Sequence, residues 1–252
     1  MATRKFDAGL PTSIDGVSSV FLCVAFVLIK DRYHDALSDL SNRVVHMIEE
    51  SFGMTVGTFD RFFKSTPGNG GIHIPPQHRI KLLKYPKVGP ETDGQGVGPH
   101  KDSSGWLTFL YQVGQEHGLE VLSKDGSWVP APPLEGTFVV NFGNAFEAAT
   151  EGAVKATVHR VKAPKNNDRY SVPFFMGLPL DLTVPHIRQC FSREVKELRR
   201  TESPSEAEAA ISTYLDPRWR TLGESQLRKW IRSHEDVGRK WYGDKVVEYY
   251  LL

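Results

Sequence analysis

The stretch GVGPHKDSSGWLTFLYQ, residues 96–112, joins a glycine-rich turn to an apolar run rich in residues that favour strands. His100 and Asp102 lie two positions apart at this junction. Because successive side chains of a strand point to opposite faces, positions i and i+2 share one face. The stretch therefore predicts a strand that directs an imidazole and a carboxylate towards the same point.

Similar short runs, apolar or alternating, follow one another along the middle of the chain. They cover residues 79–85, 106–112, 119–122, 128–131, 137–142, 157–162 and 170–176. Turn signals such as KDG, LEG and KNND separate them. Parallel sheets need long crossover connections, which this pattern lacks. The spacing therefore predicts an antiparallel sandwich or barrel, mainly β with flanking helices.

Helical patterns lie on either side of these strands. Apolar residues recur every three or four positions over residues 31–52, and Gly53 supplies a stop. After residue 185, SPSE (203–206) and TLGE (221–224) fit the capping-box pattern of a helix start. We therefore divide the chain into an N-terminal helical segment (1–76), a β core (77–180) and a C-terminal helical cover (181–252).

One apolar stretch near the N-terminus, VSSVFLCVAFVLI (17–29), has several interpretations. It is too short to span a bilayer. It resembles the core of a signal peptide, but no small-residue cleavage site follows it. A badly predicted exon is a further alternative. Compared with a signal peptide, we expect a buried strand. If the N-terminus is short and packs loosely, this strand is partly exposed or contacts another subunit, because such an apolar patch rarely faces water in a monomer.

The composition is that of a soluble globular protein. Of the 252 residues, 40% are hydrophobic and 24% charged, and the formal net charge is +1. A balanced charge gives no reason to expect a nucleic-acid partner, and no segment predicts a membrane partner. Cys23 and Cys190 are too few and too far apart for a disulfide framework. Reduced thiols indicate a cytoplasmic protein; the oligomeric state stays open.

A second histidine and an arginine extend the polar site. His159 lies in the strand pattern TVHRVK, where a buried imidazole needs a partner. Arg169 and Ser171 share one face of a later strand, and an arginine fork beside a hydroxyl suits a ligand carboxylate. Two imidazoles and a carboxylate suit non-haem Fe(II), with catalytic zinc as the alternative. The arginine and serine favour iron with a 2-oxo acid, whose far carboxylate must be held.

These motifs, taken in order, resemble a known family. From about Lys81 to Met176 the chain contains GVGPHKDSSGWLTFLYQ, GLEVLSKDGSWV, VVNFGN, TVHRV and RYSVPFF. This series resembles the Fe(II)/2-oxoglutarate dioxygenases of the isopenicillin N synthase-like group. The resemblance implies a double-stranded β-helix, or jelly-roll, core with a metal at one mouth. It also implies Fe(II) as cofactor, with 2-oxoglutarate and O2 as co-substrates.

The resemblance carries specific roles onto this sequence. His100, Asp102 and His159 match the metal ligands of the family, and Asn141 lies where the family often has a polar residue near the metal. A carboxylate at position 102 leaves no coordination position for a halide, which argues against a halogenase. No catalytic residue beyond the metal ligands is expected.

The resemblance also implies a site for the co-substrate. Arg169 and Ser171 match the pair that holds the distal carboxylate of 2-oxoglutarate, and Tyr85 matches a tyrosine that often contacts it. The asparagine that usually precedes this tyrosine by two positions is Leu83 here. The same arginine–serine pair holds a substrate carboxylate in related oxidases.

The predicted function is therefore oxidation of a small molecule, by hydroxylation, desaturation or oxidative cyclisation, in specialised (secondary) metabolism. Two alternatives remain: an isopenicillin N synthase-type oxidase that does not use 2-oxoglutarate, and a non-catalytic jelly-roll remnant. The family usually begins with a longer segment that lines the substrate pocket, so we expect a shortened N-terminus and an open pocket. Candidate pocket residues are Trp106, Phe109, Tyr111, Val140 and Phe174.

Overall fold

The computed structural model describes residues 16–63, 74–92, 94–102, 105–191, 195, 197 and 220–251, and the side chains of residues 16–28 and 184 lie outside this description. The strands are β1 (Arg79–Ile80), β2 (Leu83–Tyr85), β3 (Gln95–His100), β4 (Gly105–Val113), β5 (Leu119–Leu122), β6 (Trp128–Pro130), β7 (Val139–Phe142), β8 (His159–Lys162) and β9 (Arg169–Gly177). The helices are α1 (Gly16–Ser51), α2 (Asp60–Phe63), α3 (Asn144–Ala149), α4 (Val184–Arg188), α5 (Leu222–Ser233), α6 (Glu235–Tyr242) and α7 (Asp244–Leu251).

The strands form two antiparallel sheets. The larger sheet has the order β1-β9-β4-β7, and β2 also pairs with β9. The smaller sheet has the order β3-β8-β5-β6. Consecutive strands thus alternate between the sheets at several points, as the chain does in a double-stranded β-helix. The predicted fold class, mainly β with flanking helices and a jelly-roll core, is confirmed.

The main hydrophobic core lies outside the jelly roll, where helices cover the larger sheet. Buried side chains of α1 and α2 pack there with aromatic residues of β4, β9 and α3. Trp106, for example, is fully buried with its ring 4.7 Å from that of Phe146 and 5.1 Å from that of Phe59. A smaller cluster lies inside the jelly roll, around Tyr85 and Leu119. The interior of the β core is therefore lightly filled and leaves room for a cavity.

The expectation of a strand over residues 17–29 is wrong, because these residues lie in helix α1. A short apolar run cannot be distinguished as strand or helix by its periodicity alone. Here no glycine or proline separates the run from the amphipathic pattern of residues 31–52, so the two form one helix. Ile29, at the junction, is exposed. Within the described residues, no helix combines the length and apolar character that a membrane crossing requires.

A buried glutamate ends α1 and organises the loop that follows. The Glu49 carboxylate is fully buried and accepts hydrogen bonds from the backbone N–H groups of Gly57 (2.6 Å) and Phe59 (2.7 Å). These bonds satisfy both carboxylate oxygens, which a buried charge requires. They also fold the loop back on the helix, so that Phe59 and α2 reach the core.

The C-terminal helices begin as the sequence predicts. At α5, the Thr221 hydroxyl accepts a hydrogen bond from the Glu224 N–H, and the Glu224 carboxylate accepts one from the Thr221 N–H. The capping box in TLGE is therefore confirmed. The second predicted capping box, SPSE (203–206), lies outside the described residues. Helix α3, which directly follows β7, was not predicted.

Candidate functional site

Two strands and one connection bring the three predicted metal ligands together. His100 lies directly opposite His159 in the antiparallel pair β3–β8, and their ring centroids are 4.3 Å apart. Asp102 lies in the connection between β3 and β4. Its Oδ1 atom is 3.8 Å from Nε2 of His100 and 3.7 Å from Nε2 of His159. All three potential ligand atoms lie within 4.8 Å of one another, close enough to share one metal ion.

Backbone hydrogen bonds orient both imidazoles. The Nδ1 atom of His100 is 2.8 Å from the Gly98 carbonyl oxygen, and that of His159 is 3.1 Å from the Thr157 carbonyl oxygen. A carbonyl can only accept, so each Nδ1 carries the proton. Each Nε2 then presents its lone pair to the cluster. Metal-bound histidines generally have this second hydrogen bond.

The carboxylate of Asp102 is held in the same way. Thr108 on β4 and Asn141 on β7 lie opposite each other in the larger sheet. The Thr108 hydroxyl (2.8 Å) and the Asn141 side-chain amide (2.9 Å) both donate to Oδ2 of Asp102. Oδ1 is thereby left to face the two histidines. The polar residue that the resemblance implied near the metal, Asn141, thus contacts one of the predicted ligands.

The charge states of the cluster suit a cation. Burial lowers the pKa of His100, and the neighbouring His159 lowers it further, so the imidazole is neutral at pH 7. Burial alone raises the pKa of Asp102, but the two histidines and the hydrogen bonds it accepts outweigh this effect and lower the pKa. A neutral imidazole and an ionised carboxylate are the forms that bind metals.

A buried arginine lies in the same cavity. Arg169 begins β9, is 1% exposed, and donates from Nη2 to Oε1 of Gln112 at 2.7 Å. Its Nε and Nη1 atoms are also buried, and no described residue hydrogen-bonds to them. A buried guanidinium with two unpaired donors is costly unless an anion meets it. Burial lowers the pKa of Arg169, and its interaction with the neighbouring Tyr85 hydroxyl opposes this effect.

Ser171 and Tyr85 complete this part of the cavity. Tyr85 on β2 lies opposite Arg169 on β9, and the guanidinium carbon is 5.1 Å from the centre of the Tyr85 ring. The Ser171 hydroxyl is buried, again without a hydrogen-bond partner among the described residues. Arg169, Ser171 and Tyr85 therefore share one wall, the arginine wall, with donors enough for a carboxylate.

Sequence analysis missed several residues around the site, and Thr108, described above, is one of them. Gln112 fixes Arg169, and its amide in turn donates to the Ala131 carbonyl oxygen. Lys101, between two predicted ligands, points away from the cluster and forms a buried ion pair with Glu147 of α3 at 2.9 Å. Alternation could have predicted that Lys101 points away from the cluster, since His100 and Asp102 both point inward. The ion pair with Glu147 could not be predicted, because α3 was not predicted.

A cavity of about 460 Å³ contains both the His–Asp–His cluster and the arginine wall. The predicted pocket residues do not line it. Along β4, Thr108 and Leu110 face the cavity, whereas Phe109 points to the helices. Trp106 and Phe174 also lie in the helix-side core, and the remaining two, Tyr111 and Val140, also lie off the cavity wall. The prediction left open which face of each strand turns inward, and alternation could not decide it because both faces of the larger sheet are apolar.

The donor set fits the cofactors implied by the resemblance. Two imidazole nitrogens and one carboxylate oxygen on one side of an otherwise open cavity suit Fe(II). The unpaired donors of Arg169 and Ser171 suit one end of a dicarboxylate such as 2-oxoglutarate. The first feature is the convergence of three potential ligand atoms, and the second is a set of buried donors that lack partners within the described part of the chain.

Comparison with known proteins identifies the family. The sequence profile of the 2OG-Fe(II) oxygenase superfamily matches residues 54–178 of this chain. This chain belongs to that superfamily. The cofactors predicted from the sequence, Fe(II), 2-oxoglutarate and O2, are those of the superfamily. The narrower resemblance to the isopenicillin N synthase-like group stays a prediction.

Individual relatives agree with this assignment. A 2-oxoglutarate-dependent dioxygenase, frbJ, of Dothideomycetidae sp. is 35% identical over 223 residues, which cover 84% of this chain and 57% of that protein. A 2-oxoglutarate-dependent dioxygenase of Gibberella zeae is 29% identical over 231 residues, covering 86% of this chain and 57% of that protein. The chain thus spans 57% of the length of each of these two relatives.

Solved structures show the same fold. The dioxygenase for auxin oxidation in rice has a TM-score of 0.54 and 26% sequence identity to this chain. The match covers 77% of this chain and 60% of the rice chain. The likeness therefore extends over about three quarters of this chain.

Proposed function

We propose that this chain is an Fe(II)/2-oxoglutarate-dependent oxygenase that oxidises a small molecule. One observation carries the proposal: the His100–Asp102–His159 cluster and the unpaired guanidinium of Arg169 lie in one cavity. The first is suited to Fe(II), and the second to a carboxylate that reaches into the protein. Superfamily membership supports the combination of the two.

In this proposal His100, Asp102 and His159 hold the metal. When bound, Fe(II) and 2-oxoglutarate supply the activation of O2, which no protein side chain provides. The side chains supply position: the Gly98 and Thr157 carbonyls fix the imidazole rings. Thr108 and Asn141 keep one oxygen of Asp102 occupied, so that only the other faces the metal site.

The arginine wall binds the distal carboxylate of 2-oxoglutarate. Arg169 presents the free N–H donors of Nε and Nη1, and the hydroxyls of Ser171 and Tyr85 each add one donor. Gln112 holds the third guanidinium nitrogen and fixes the plane of the guanidinium. Because these groups are buried, water competes poorly for the carboxylate.

The rest of the cavity suits an organic substrate. Its wall includes the apolar residues Leu83, Val97, Leu110, Leu119, Val121, Val139, Val161, Pro173 and Phe175. Hydroxylation, desaturation and oxidative cyclisation all fit this site. The fungal relatives are dioxygenases of this superfamily, which supports a role in secondary metabolism. We place the protein in the cytoplasm because Cys190 is a free thiol.

The two alternative functions have less support. An oxidase of the isopenicillin N synthase type needs no 2-oxoglutarate, yet the two relatives that match over most of this chain are named 2-oxoglutarate-dependent dioxygenases. A non-catalytic remnant needs no oriented ligand cluster. In this chain, however, Thr108 and Asn141 both donate hydrogen bonds that orient the Asp102 carboxylate.

The test is conversion of 2-oxoglutarate to succinate with Fe(II) and O2. We expect measurable succinate formation by the wild-type chain and its loss in His100→Ala, because one metal ligand is removed. His117→Ala, which changes a histidine away from the cavity, is the control and should retain activity. Turnover without 2-oxoglutarate would favour the oxidase, and equal activity of His100→Ala would refute the proposed metal site.

A further inference from the structure

A group of basic side chains lines the same cavity apart from the arginine wall. Lys81 lies between β1 and β2, Arg79 lies in β1, and Lys229 lies in the middle of α5. Helix α5 contributes Gln226, Trp230 and Ser233 to the same wall, and His234, which follows the helix, also lines it. The C-terminal helical cover thus closes part of a cavity that the jelly roll alone would leave more open. Through Lys229 it also adds a positive charge to this cavity.

The two lysines have no acidic partner in the described part of the chain. The Lys229 ammonium donates to the Lys101 carbonyl oxygen at 3.1 Å, and no described carboxylate lies within 4.0 Å of it. The Lys81 ammonium lies 5.6 Å from the centre of the Phe175 ring and forms no ion pair with a described residue. Burial lowers the pKa of Lys229, and the positive charges of Lys81 and Arg79 add to this effect while Asp102 opposes it. The cations therefore lie close enough to repel one another.

The charge of the cavity is not balanced by the cofactors. Its described lining contains four cationic side chains and one carboxylate, that of Asp102. If the proposed function holds, Fe(II) and Arg169 are neutralised by Asp102 and the two carboxylates of 2-oxoglutarate. Of the three other cations, Arg79 takes part in a further interaction, and Lys81 and Lys229 remain as an excess of positive charge at an apolar cavity. An anionic substrate group would offset this excess.

We propose that Lys81 and Lys229 bind a carboxylate group of the substrate, so that the oxygenase acts on an apolar organic acid. This inference rests on the proposed function and names its substrate class. The carboxylate would lie between β1–β2 and α5, with the apolar body of the substrate against Pro173, Phe175 and Leu110. A phosphate is less suited, because Lys229 lies far from the N-terminus of α5, where backbone N–H groups bind phosphates.

The inference can be tested by calorimetry with a matched set of probes. We would titrate 2-naphthoate, 2-naphthamide and 2-naphthyl phosphate into protein loaded with Fe(II) and 2-oxoglutarate under nitrogen. The acid and the amide differ in charge but hardly in shape. We expect 2-naphthoate to bind at least tenfold more tightly than the amide, or about 1.4 kcal/mol. Added salt should reduce this preference, because it screens charges near the surface.

Substitutions assign the preference to the two lysines. Lys81→Gln and Lys229→Gln should each reduce binding of the acid several-fold while leaving binding of the amide unchanged. The double variant should abolish the preference, and Lys229→Arg should retain it. Lys124→Gln removes one charge from an exposed turn outside the cavity and is the control. Its binding should equal that of the wild type.

Several outcomes would overturn the inference. These are equal binding of acid and amide, a preference that survives in the double variant, tighter binding of the phosphate ester, or no saturable binding of the acid. Failure of the proposed function is distinguishable, because it appears in the loading step as absence of 2-oxoglutarate binding. The acid–amide comparison on metal-free protein would still report on the lysines in that case.

Discussion

Replacing Arg169 by lysine is expected to weaken 2-oxoglutarate binding without affecting the metal. Arg169 is 1% exposed, and Gln112 holds one of its nitrogens, so the guanidinium cannot reorient freely. Lysine retains the positive charge but has no planar fork. The ammonium group of lysine would also reach less far towards a carboxylate. In addition, Oε1 of Gln112 would lose the hydrogen bond that Arg169 now donates to it.

The magnitude follows from the donors that are lost. Arg169 offers two unpaired buried donors, Nε and Nη1, and lysine replaces them with one ammonium group. At least one charge-assisted hydrogen bond is lost, worth about 1.5–3 kcal/mol. This corresponds to a rise of about 10- to 100-fold in the dissociation constant for 2-oxoglutarate.

The assay combines calorimetric titration of 2-oxoglutarate with a separate titration of Fe(II), both under nitrogen. Arg169→Lys should change only the first, because the His–Asp–His cluster forms no hydrogen bond with Arg169. Arg239→Lys, on the exposed surface of α6, is the matched control. Unchanged 2-oxoglutarate affinity in Arg169→Lys would refute the role of the arginine wall. A parallel loss of Fe(II) affinity would show that Arg169 acts through the metal cluster instead.

Three further predictions concern the surroundings of the site. Thr108→Val removes the 2.8 Å hydrogen bond to Asp102 and should weaken Fe(II) binding about 10-fold in a metal titration, whereas unchanged affinity would contradict the role of this bond. Lys101→Met leaves the carboxylate of Glu147 buried without its partner and should lower the free energy of unfolding by about 3–5 kcal/mol in urea; a loss below about 1 kcal/mol would contradict it. Burial lowers the pKa of His78 from 6.5 to about 4, so the unfolded chain binds a proton below pH 6.5 that the folded chain does not. Stability should therefore fall by up to about 3 kcal/mol between about pH 7 and pH 4, and His78→Gln should remove this part of the pH dependence.

Local sequence patterns were sufficient to predict the strands. The strand LEVL coincides with β5. The strand predictions succeeded because alternation and turn residues act over a few positions. The capping box at Thr221 was predictable for the same reason, because it joins residues only three positions apart. The approach of His159 to His100 is a distant contact, which was expected from the family resemblance.

Features that depend on distant contacts were not predictable in this way. The apolar run 17–29 was assigned to a strand because its helical state depends on continuity with the rest of α1. The pocket residues could not be chosen correctly, because Phe109 and Phe174 pack against helices, which an alternating pattern does not reveal. The ion pair of Lys101 depends on α3, and the position of Lys229 depends on α5 folding back over the cavity.

The central claim is that one metal ion is held by His100, Asp102 and His159. The most direct measurement is a crystal structure of the chain grown under nitrogen with Fe(II) and 2-oxoglutarate, with anomalous scattering used to locate the iron. The account predicts a single iron atom about 2.0–2.2 Å from Nε2 of both histidines and from one oxygen of Asp102. It also predicts the far carboxylate of 2-oxoglutarate on Arg169. Iron bound at other residues, or a cluster that stays free of metal at saturating Fe(II), would contradict the account.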